Sequence, residues 1–376
     1  MVILAIESSC DETACAVVED GVYEIASGIA SSAELHHKTG GIVPEVAARK
    51  QVEFILPVLE STIQKTADYY GIKTDGVKNK IDSLAVTVGP GLAGSLIVGI
   101  EAAKALALAW QKPLIPVNHL VGHIYANFLT QETSSIFAPK PSSRVGSLSR
   151  QGGTPEPSNR ALASTCPLFP AVVLVVSGGH TDLVLMKDHG DLEYLGGTID
   201  DATGEAFDKV ARLLNYGMYL GGANLSKAAR EYTGPKLAEK LPRPFIHEHN
   251  FDFSFSGLKT AVKRLVEKGI YEPAAVAKEF EEAVVEVLIE KTLKAVEQTG
   301  AKSILLGGGV SANQKLRQDL VDKANARFGA ENITIIIPPL RLCTDNAIYI
   351  ASAAYFNQTY KPLDQIVPNP SRSIKD

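Results

Sequence analysis

Val2-Ile-Leu-Ala-Ile6 runs into Glu7-Ser-Ser-Cys-Asp-Glu-Thr13 and then into Ala14-Cys-Ala-Val-Val18: an apolar run, a small polar loop and a second apolar run. An unbroken apolar run reads as a strand buried on both faces, and the polar loop turns the chain back, so the segment predicts a hairpin. The same order recurs at Ala171 to Val176, with the loop Ser177-Gly-Gly-His-Thr181 and a return run Leu183 to Met186. A second element is doubled too. Ser83-Leu-Ala-Val-Thr-Val88 leads into Gly89-Pro-Gly-Leu-Ala-Gly94 and a helix-like segment through Trp110. Lys302-Ser-Ile-Leu-Leu306 leads into Gly307-Gly-Gly-Val-Ser-Ala-Asn313 and an amphipathic segment to Arg327. Each half is therefore a hairpin followed by strand, glycine loop and helix. Two such lobes face to face make a cleft in which backbone N–H groups at strand ends and helix N-termini can cradle phosphates.

The fold class expected is α/β, a duplicated actin-like two-lobe fold with a central interlobe cleft. At 376 residues, two lobes are the natural division. Residues 1–130 with 341–360 are assigned to an N-terminal lobe and 167–340 to a C-terminal lobe. Between them, half of the positions from Gln131 to Cys166 are Ser, Thr, Pro or Gly, which reads as a flexible low-complexity insertion. Its basic residues Lys140, Arg144, Arg150 and Arg160 would permit contact with RNA. Residues 361–376, with three prolines, read as a loosely attached tail. Four scattered cysteines without a CxxC indicate neither a disulfide framework nor a zinc knuckle. Val2–Ile6 follows Met1 with no basic leader, and the apolar stretch Gly94–Trp110 is broken by Glu101 and Lys104, so the expectation is a cytoplasmic protein without a membrane span. A net charge of −5 and a pI near 6.0 disfavour autonomous nucleic-acid binding through bulk charge. An RNA partner would need a local basic surface or helper proteins.

His119 and His123, in Asn118-His-Leu-Val-Gly-His123, stand four residues apart after an apolar strand-like run. On a helix this puts both imidazoles on one face, one turn apart, the way a chain offers two nitrogen ligands to one metal ion. Asp345, ahead of the helix-like run Ala347–Phe356, is either a helix N-cap or the carboxylate of an open site with two histidines, which zinc or iron would suit. Asp11 and Glu12 lie in the first hairpin turn, as turn residues or as carboxylates that position a metal, a water or an attacking group. Asp200 and Asp201 are expected to open a helix, as the helix dipole favours, with Asp208 one turn in, where it could reach a ribose hydroxyl. Phe251-Asp-Phe-Ser-Phe-Ser-Gly-Leu-Lys-Thr260 alternates aromatic and polar residues into a segment bearing Lys259, Lys263 and Arg264. It is either a half-buried strand entering a basic-faced helix or part of an RNA-docking surface.

With these segments in view, the chain resembles the TsaD family, the glycoprotease-like family, which is similar in fold to the acetate kinase, Hsp70 and actin superfamily. The likeness rests on Glu7-Ser-Ser-Cys-Asp-Glu-Thr13, Gly41-Ile-Val-Pro-Glu45, Gly89-Pro-Gly-Leu92, Asn118-His-Leu-Val-Gly-His123, Val176-Ser-Gly-Gly-His180, Asp200 to Lys209, Phe253 to Lys259, Gly308 to Asn313 and Cys343-Thr-Asp-Asn346. The Ser-Gly-Gly-His form is similar to the bacterial and organellar branch. The resemblance implies a tRNA N6-adenosine threonylcarbamoyltransferase. Such an enzyme moves the threonylcarbamoyl group from threonylcarbamoyl-AMP to the exocyclic amine of the adenosine 3′ of the anticodon, in tRNAs reading codons that begin with A, and releases AMP. It also implies one divalent metal per subunit, Fe(II) or Zn(II), on His119, His123 and Asp345. Val176, Ser177, Gly178, Gly179 and His180 would line the substrate, Asp208, Gly221 and Asn313 would contact the nucleotide, and Asp11 would be the acidic residue needed for transfer. The partners it implies are tRNA together with either a shorter TsaB-like paralogue and a TsaE-like small ATPase or a second copy of the chain, with no DNA and no membrane.

Three positions depart from the family pattern: Tyr219-Leu220-Gly-Gly-Ala223 in place of Tyr-Pro-Gly-Gly-Pro, Gln51 where a histidine is often found, and Val121 where a glutamate is common inside the His pair. None removes an implied metal ligand; contacts around the site are what they alter. An ATP-dependent kinase or ATPase of the same fold would want carboxylates for Mg²⁺ rather than two histidines. A metalloprotease would want a glutamate where Leu120 stands. A non-catalytic nucleotide-binding scaffold would be expected to have lost the His pair or Asp11, and both are present.

Overall fold

The computed structural model describes residues 1–129, 167–217 and 221–376, with the backbone alone of 37–39. The insertion 131–166 and Leu220 lie outside the described residues.

The repeat in the sequence becomes a repeat in topology. In the N-terminal half, strands β1 (Val2–Glu7), β2 (Glu12–Glu19) and β3 (Tyr23–Ser31) form an antiparallel meander, and β4 (Ser83–Gly89) and β5 (Leu114–Asn118) add in parallel on the other side of β1, giving the order β3-β2-β1-β4-β5. In the C-terminal half, β6 (Ala171–Val176), β7 (Thr181–Asp188), β8 (Asp191–Gly197), β9 (Ser303–Gly307) and β10 (Thr334–Ile336) take the same arrangement, β10-β9-β6-β7-β8. The hairpin registers Ile6↔Cys15 and Val175↔Asp182 place the two polar turns, Ser8–Asp11 and Ser177–His180, at corresponding ends of the sheets.

Helices α1 (Ala33–Thr39), α2 (Pro44–Tyr70), α3 (Ala93–Trp110) and α4 (His119–Tyr125) belong to the first half. Helices α5 (Thr203–Leu213), α6 (Gly221–Glu231), α7 (Ser256–Lys268), α8 (Pro273–Thr299), α9 (Gln314–Phe328) and α10 (Ile348–Phe356) complete the chain. The alternation of side chains along β1 and β6 sorts the core into three layers. Val2, Leu4 and Ile6 face α2 and α3 in one layer, and Val172, Leu174 and Val176 face α5, α7, α8 and α9 in another. Ile3 and Ala5 of β1, with Ala171, Val173 and Val175 of β6, turn inward onto α4 and α10, which lie between the sheets. Helix α3 is long and apolar enough to cross a membrane, yet Leu96, Ile100, Ala103 and Ala107 pack one of its faces into the N-terminal core.

Several expectations are corrected. The C-terminal segment is docked, not loose: Asn369 N donates to Val88 O (2.7 Å), Gly91 N to Pro370 O (3.2 Å) and Asn118 Nδ2 to Ser373 O (2.8 Å), and Ile366 and Ile374 are buried. Asp200 does not open α5, which starts at Thr203; its carboxylate accepts from Phe255 N (2.8 Å) and from the Ser254 and Ser256 hydroxyls (2.6 and 2.8 Å) at the start of α7. Asp201 pairs with Lys209 at 2.6 Å. Phe253 and Phe255 are fully buried in the C-terminal core, so they offer no stacking platform, although Lys259, Lys263 and Arg264 on α7 are exposed.

Candidate metal centre and nucleotide cleft

Helix α4 begins where β5 ends, because Asn118 caps it: its Oδ1 accepts from Leu120 N at 2.9 Å. His119 and His123 then project from one face, their ring centroids 4.6 Å apart. The third group arrives from the far end of the sequence. Asp345 is not the cap of α10, since Asn346 Oδ1 takes that role by accepting from Ile348 N at 3.0 Å. Asp345 Oδ1 is thereby left 3.5 Å from His119 Nε2 and 3.4 Å from His123 Nε2. The packing of α4 on α10 that allows this depends on Gly122: a Cβ there would stand 2.6 Å from Ile350 Cδ1 and 2.8 Å from Tyr349 Cδ2.

These ligand atoms lie within 4.8 Å of one another, and among the described residues they form the one group of this kind. Their spacing is long for good hydrogen bonds. The two distances to Asp345, 3.4 and 3.5 Å, match what an ion would impose, since two ligands about 2.1 Å from a tetrahedral centre stand roughly 3.4 Å apart. The surroundings set the protonation to suit. Glu7, fully buried at the end of β1, accepts from Thr87 Oγ1 (2.5 Å) and Ser9 N (2.5 Å), and its Oε2 lies 3.0 Å from His119 Nδ1. With Nδ1–H donated to Glu7, His119 keeps its lone pair on Nε2, facing Asp345. The buried Nδ1 of His123 has no hydrogen-bond partner, which leaves its ring oriented by packing and by Nε2.

Charge follows the same geometry. Burial alone would depress His119, but Glu7 and Asp345 outweigh it and raise it to about 9. His123 is lowered, by burial and by the charge of His119. Burial would raise Asp345, yet His119 and His123 hold it well below the usual carboxylate range. Two imidazoles and a carboxylate so arranged suit a cation in place of protons.

The other lobe meets α4 at Gly307, where a Cβ would lie 2.9 Å from His123 O, and the β6–β7 turn stands beside the following Gly308. Ser177 N donates to His180 O (2.8 Å) and His180 N to Ser177 Oγ (3.1 Å), while Gly178 and Gly179 are exposed with open space around them. Val176 is buried beneath the turn. Gly308 approaches it so closely, at φ +87°, that a Cβ would lie 2.3 Å from Val176 O. His180 is lowered to about 4, by burial first and then by the charge of His119 and His123.

The remaining candidates gather on the C-terminal lobe. Asp208 Oδ1 accepts from Gly222 N (2.8 Å) at the start of α6, whose first residue is the buried Gly221. Asn313 caps α9 through Leu316 N (2.8 Å) and donates to Ser226 Oγ (3.0 Å) and Glu281 Oε1 (2.7 Å). Ser226, Arg230, Glu281 and Lys315 line a cavity of about 310 Å³ beside it. Asp11 stands on the β1–β2 turn of the opposite lobe, its carbonyl accepting from Ser32 N at 2.9 Å. Among the family departures, Val121 packs against the interlobe core and Ala223 is exposed. The residue that sequence reasoning missed is Glu7. Its signal was a carboxylate ending a fully apolar strand, a place where an ionised group has to be paired.

Comparison with known proteins accords with this geometry. The family model for TsaD, tRNA N6-adenosine threonylcarbamoyltransferase, matches residues 24–141 and 158–352. A tRNA N6-adenosine threonylcarbamoyltransferase of Thermomicrobium roseum is 46% identical over 95% of this chain and 92% of its own, and that of Symbiobacterium thermophilum is 45% identical over 94% and 91%. Among solved structures, T. kodakarensis HypF superposes with a TM-score of 0.55 at 13% identity, covering 94% of this chain and 46% of its own, a likeness of fold that agrees with the two-lobe actin-like architecture. The relatives run nearly the full length of both partners and carry one activity, and on that ground the chain belongs to the TsaD family of tRNA N6-adenosine threonylcarbamoyltransferases.

Proposed function

We propose that the interlobe cleft transfers a threonylcarbamoyl group from threonylcarbamoyl-AMP to N6 of the adenosine 3′ of the anticodon, in tRNAs reading codons that begin with A. The observation that carries this is the meeting of the His119, His123 and Asp345 ligand atoms within 4.8 Å, with Gly307 of the other lobe so close to α4 that a Cβ there would lie 2.9 Å from His123 O. The donor is a mixed anhydride and already activated, so the chain's task is positioning, charge stabilisation and removal of a proton. The N6 lone pair attacks the carbamoyl carbon, the bond from that carbon to the phosphate oxygen breaks, and AMP leaves with the electron pair. Asp11 receives the N6 proton. Val176 to His180 line the donor, with backbone N–H groups of the turn directed to its phosphate. Asp208, Gly221 and Asn313 hold the nucleoside part. His119, His123 and Asp345 would hold one Fe(II) or Zn(II), whose chemistry there is to polarise the carbonyl or hold the threonyl moiety.

The lobe division in this reading takes residues 1–130 with 341–360 as one body and 167–340 as the other, in keeping with the packing of α10 on β1, β2 and α4. A net charge of −5 favours helper proteins in holding tRNA, which fits a TsaB-like paralogue with a TsaE-like small ATPase, or a homodimer, in the cytoplasm. The test is product mapping. Preformed threonylcarbamoyl-AMP and a panel of unmodified tRNAs are incubated with the metal-loaded protein, and digests are read by mass spectrometry. Modification confined to the adenosine 3′ of the anticodon, with one AMP per modified base, is expected; modification elsewhere, or AMP released without it, contradicts the proposal.

A further inference from the structure

The turn that carries Asp11 is gripped from outside by one buried amide. Gln51, on α2 and 1% exposed, donates from Nε2 to Cys10 O (2.9 Å) and to Glu12 O (2.7 Å), and its Oε1 accepts from Thr13 Oγ1 (2.6 Å). The intervening carbonyl, that of Asp11, is held by Ser32, whose N–H and hydroxyl donate to it at 2.9 and 3.0 Å. Three successive carbonyls of the turn are thus fixed, and two of them depend on a single side chain. A primary amide is suited to this: it offers two donors and an acceptor in one plane, and two carbonyls together with a hydroxyl donor leave one orientation that satisfies all three. Helix α2 in turn packs on β2 and β3, so the amide is itself anchored.

We infer that Gln51 is a positioning residue for the transfer, setting the backbone on both sides of Asp11 and so the aim of its carboxylate into the cleft. The inference rests on the reading of Asp11 as the group that receives the N6 proton. A misplacement of about 1 Å in a reacting group costs roughly a hundredfold in rate, whereas the residues read as lining the donor and its nucleoside, Val176 to His180 and Asp208, lie on the other lobe.

The test compares Gln51→Leu, Gln51→His, Thr13→Val and Asp11→Ala with the wild type in the transfer assay, with melting temperature and metal content measured alongside. Gln51→Leu removes all three hydrogen bonds, Gln51→His restores at most two, and Thr13→Val removes one. The expected kcat falls in the order wild type, Thr13→Val, Gln51→His, Gln51→Leu, the last by tenfold to a hundredfold. KM for threonylcarbamoyl-AMP and for tRNA should stay within about threefold, with metal content unchanged. If Gln51→Leu fails to fold, the order among the other three is read in its place. An unchanged kcat, or kcat and KM failing together with metal content, overturns the inference. Transfer at the wild-type rate by Asp11→Ala overturns the reading of Asp11 beneath it, and is a separate result from either of these.

Discussion

Replacing Glu7 by glutamine changes one buried atom and tests how the candidate metal centre is held. Both carboxylate oxygens of Glu7 face donors: Oε1 takes Ser9 N–H at 2.5 Å, and Oε2 takes Thr87 Oγ1–H at 2.5 Å with His119 Nδ1 at 3.0 Å. An amide cannot satisfy this set. If its NH2 turns toward Ser9, two N–H groups oppose each other in a fully buried place. If it turns toward His119, the imidazole must present a lone pair at Nδ1 and move its proton to Nε2, the atom 3.5 Å from Asp345 that would bind the ion. Burial would raise the Glu7 carboxyl, but the charge and hydrogen bond of His119 overcome it and hold the group below its ordinary value, so it is a carboxylate that accepts from His119 Nδ1–H. A hydrogen bond to a charged group contributes about 1.5–3 kcal/mol. At about 1.4 kcal/mol per decade that is a loss of roughly tenfold to a hundredfold in metal affinity, the range seen when the outer partner of a ligating histidine is removed. Competition titration against a chelator of known affinity, with Zn(II) and with anaerobic Fe(II), gives the number directly. Equal metal affinity in Glu7→Gln and wild type, with both folded, would refute the tautomer argument.

Gly122→Val places side-chain carbon where α4 meets α10, at 2.6–3.0 Å from Ile350 and Tyr349, so the helices must separate. We expect a stability loss of about 1–3 kcal/mol by chemical denaturation, together with weaker metal binding. Glu12 is raised to about 10, by burial first and then by its hydrogen bond and charge with Asp11, against 4.5 for the ordinary group. The folded chain therefore keeps a proton that the unfolded chain releases between these values, and the stability Glu12 contributes, complete below about 4.5, is lost as pH rises through that window. Glu12→Gln should melt with the wild type at pH 4.5 and at progressively higher temperature than the wild type toward pH 9; a constant difference by calorimetry would contradict the assignment.

Much of this site was legible in the sequence because its parts carry local signatures. The strands β1 and β6 are unbroken apolar runs, and the polar turns that follow them mark the cleft edge. His119 and His123 announce themselves by helical spacing, and Asp345 by its place before α10. Local signals also misled. Asp200 reads as the opening of the nearest helix, but its oxygens reach Phe255 and Ser256, beyond the span of any helical pattern. Phe253 and Phe255 alternate with serines as a half-exposed strand would, yet both are buried, and Phe253 makes one isolated bridge, to Thr198. The tail resisted reading for a different reason: it is fastened largely through backbone atoms, as at Asn369 N and Ser373 O, and such contacts leave no trace in side-chain composition. The role of Glu7 was hidden by distance, since its partner His119 lies 112 residues away.

We propose that this cleft moves threonylcarbamoyl from the adenylate to tRNA, with His119, His123 and Asp345 holding the metal and Asp11 receiving the proton. The most direct measurement is single-turnover transfer from preformed threonylcarbamoyl-AMP to unmodified tRNA by the metal-loaded protein, with and without TsaB-like and TsaE-like partners, alongside His119→Ala and Asp11→Ala. We predict modified adenosine from the wild-type protein under at least one partner condition and loss of product in both variants. Product formed at the wild-type rate by either variant, or none from the metal-loaded wild type under every condition, would contradict it.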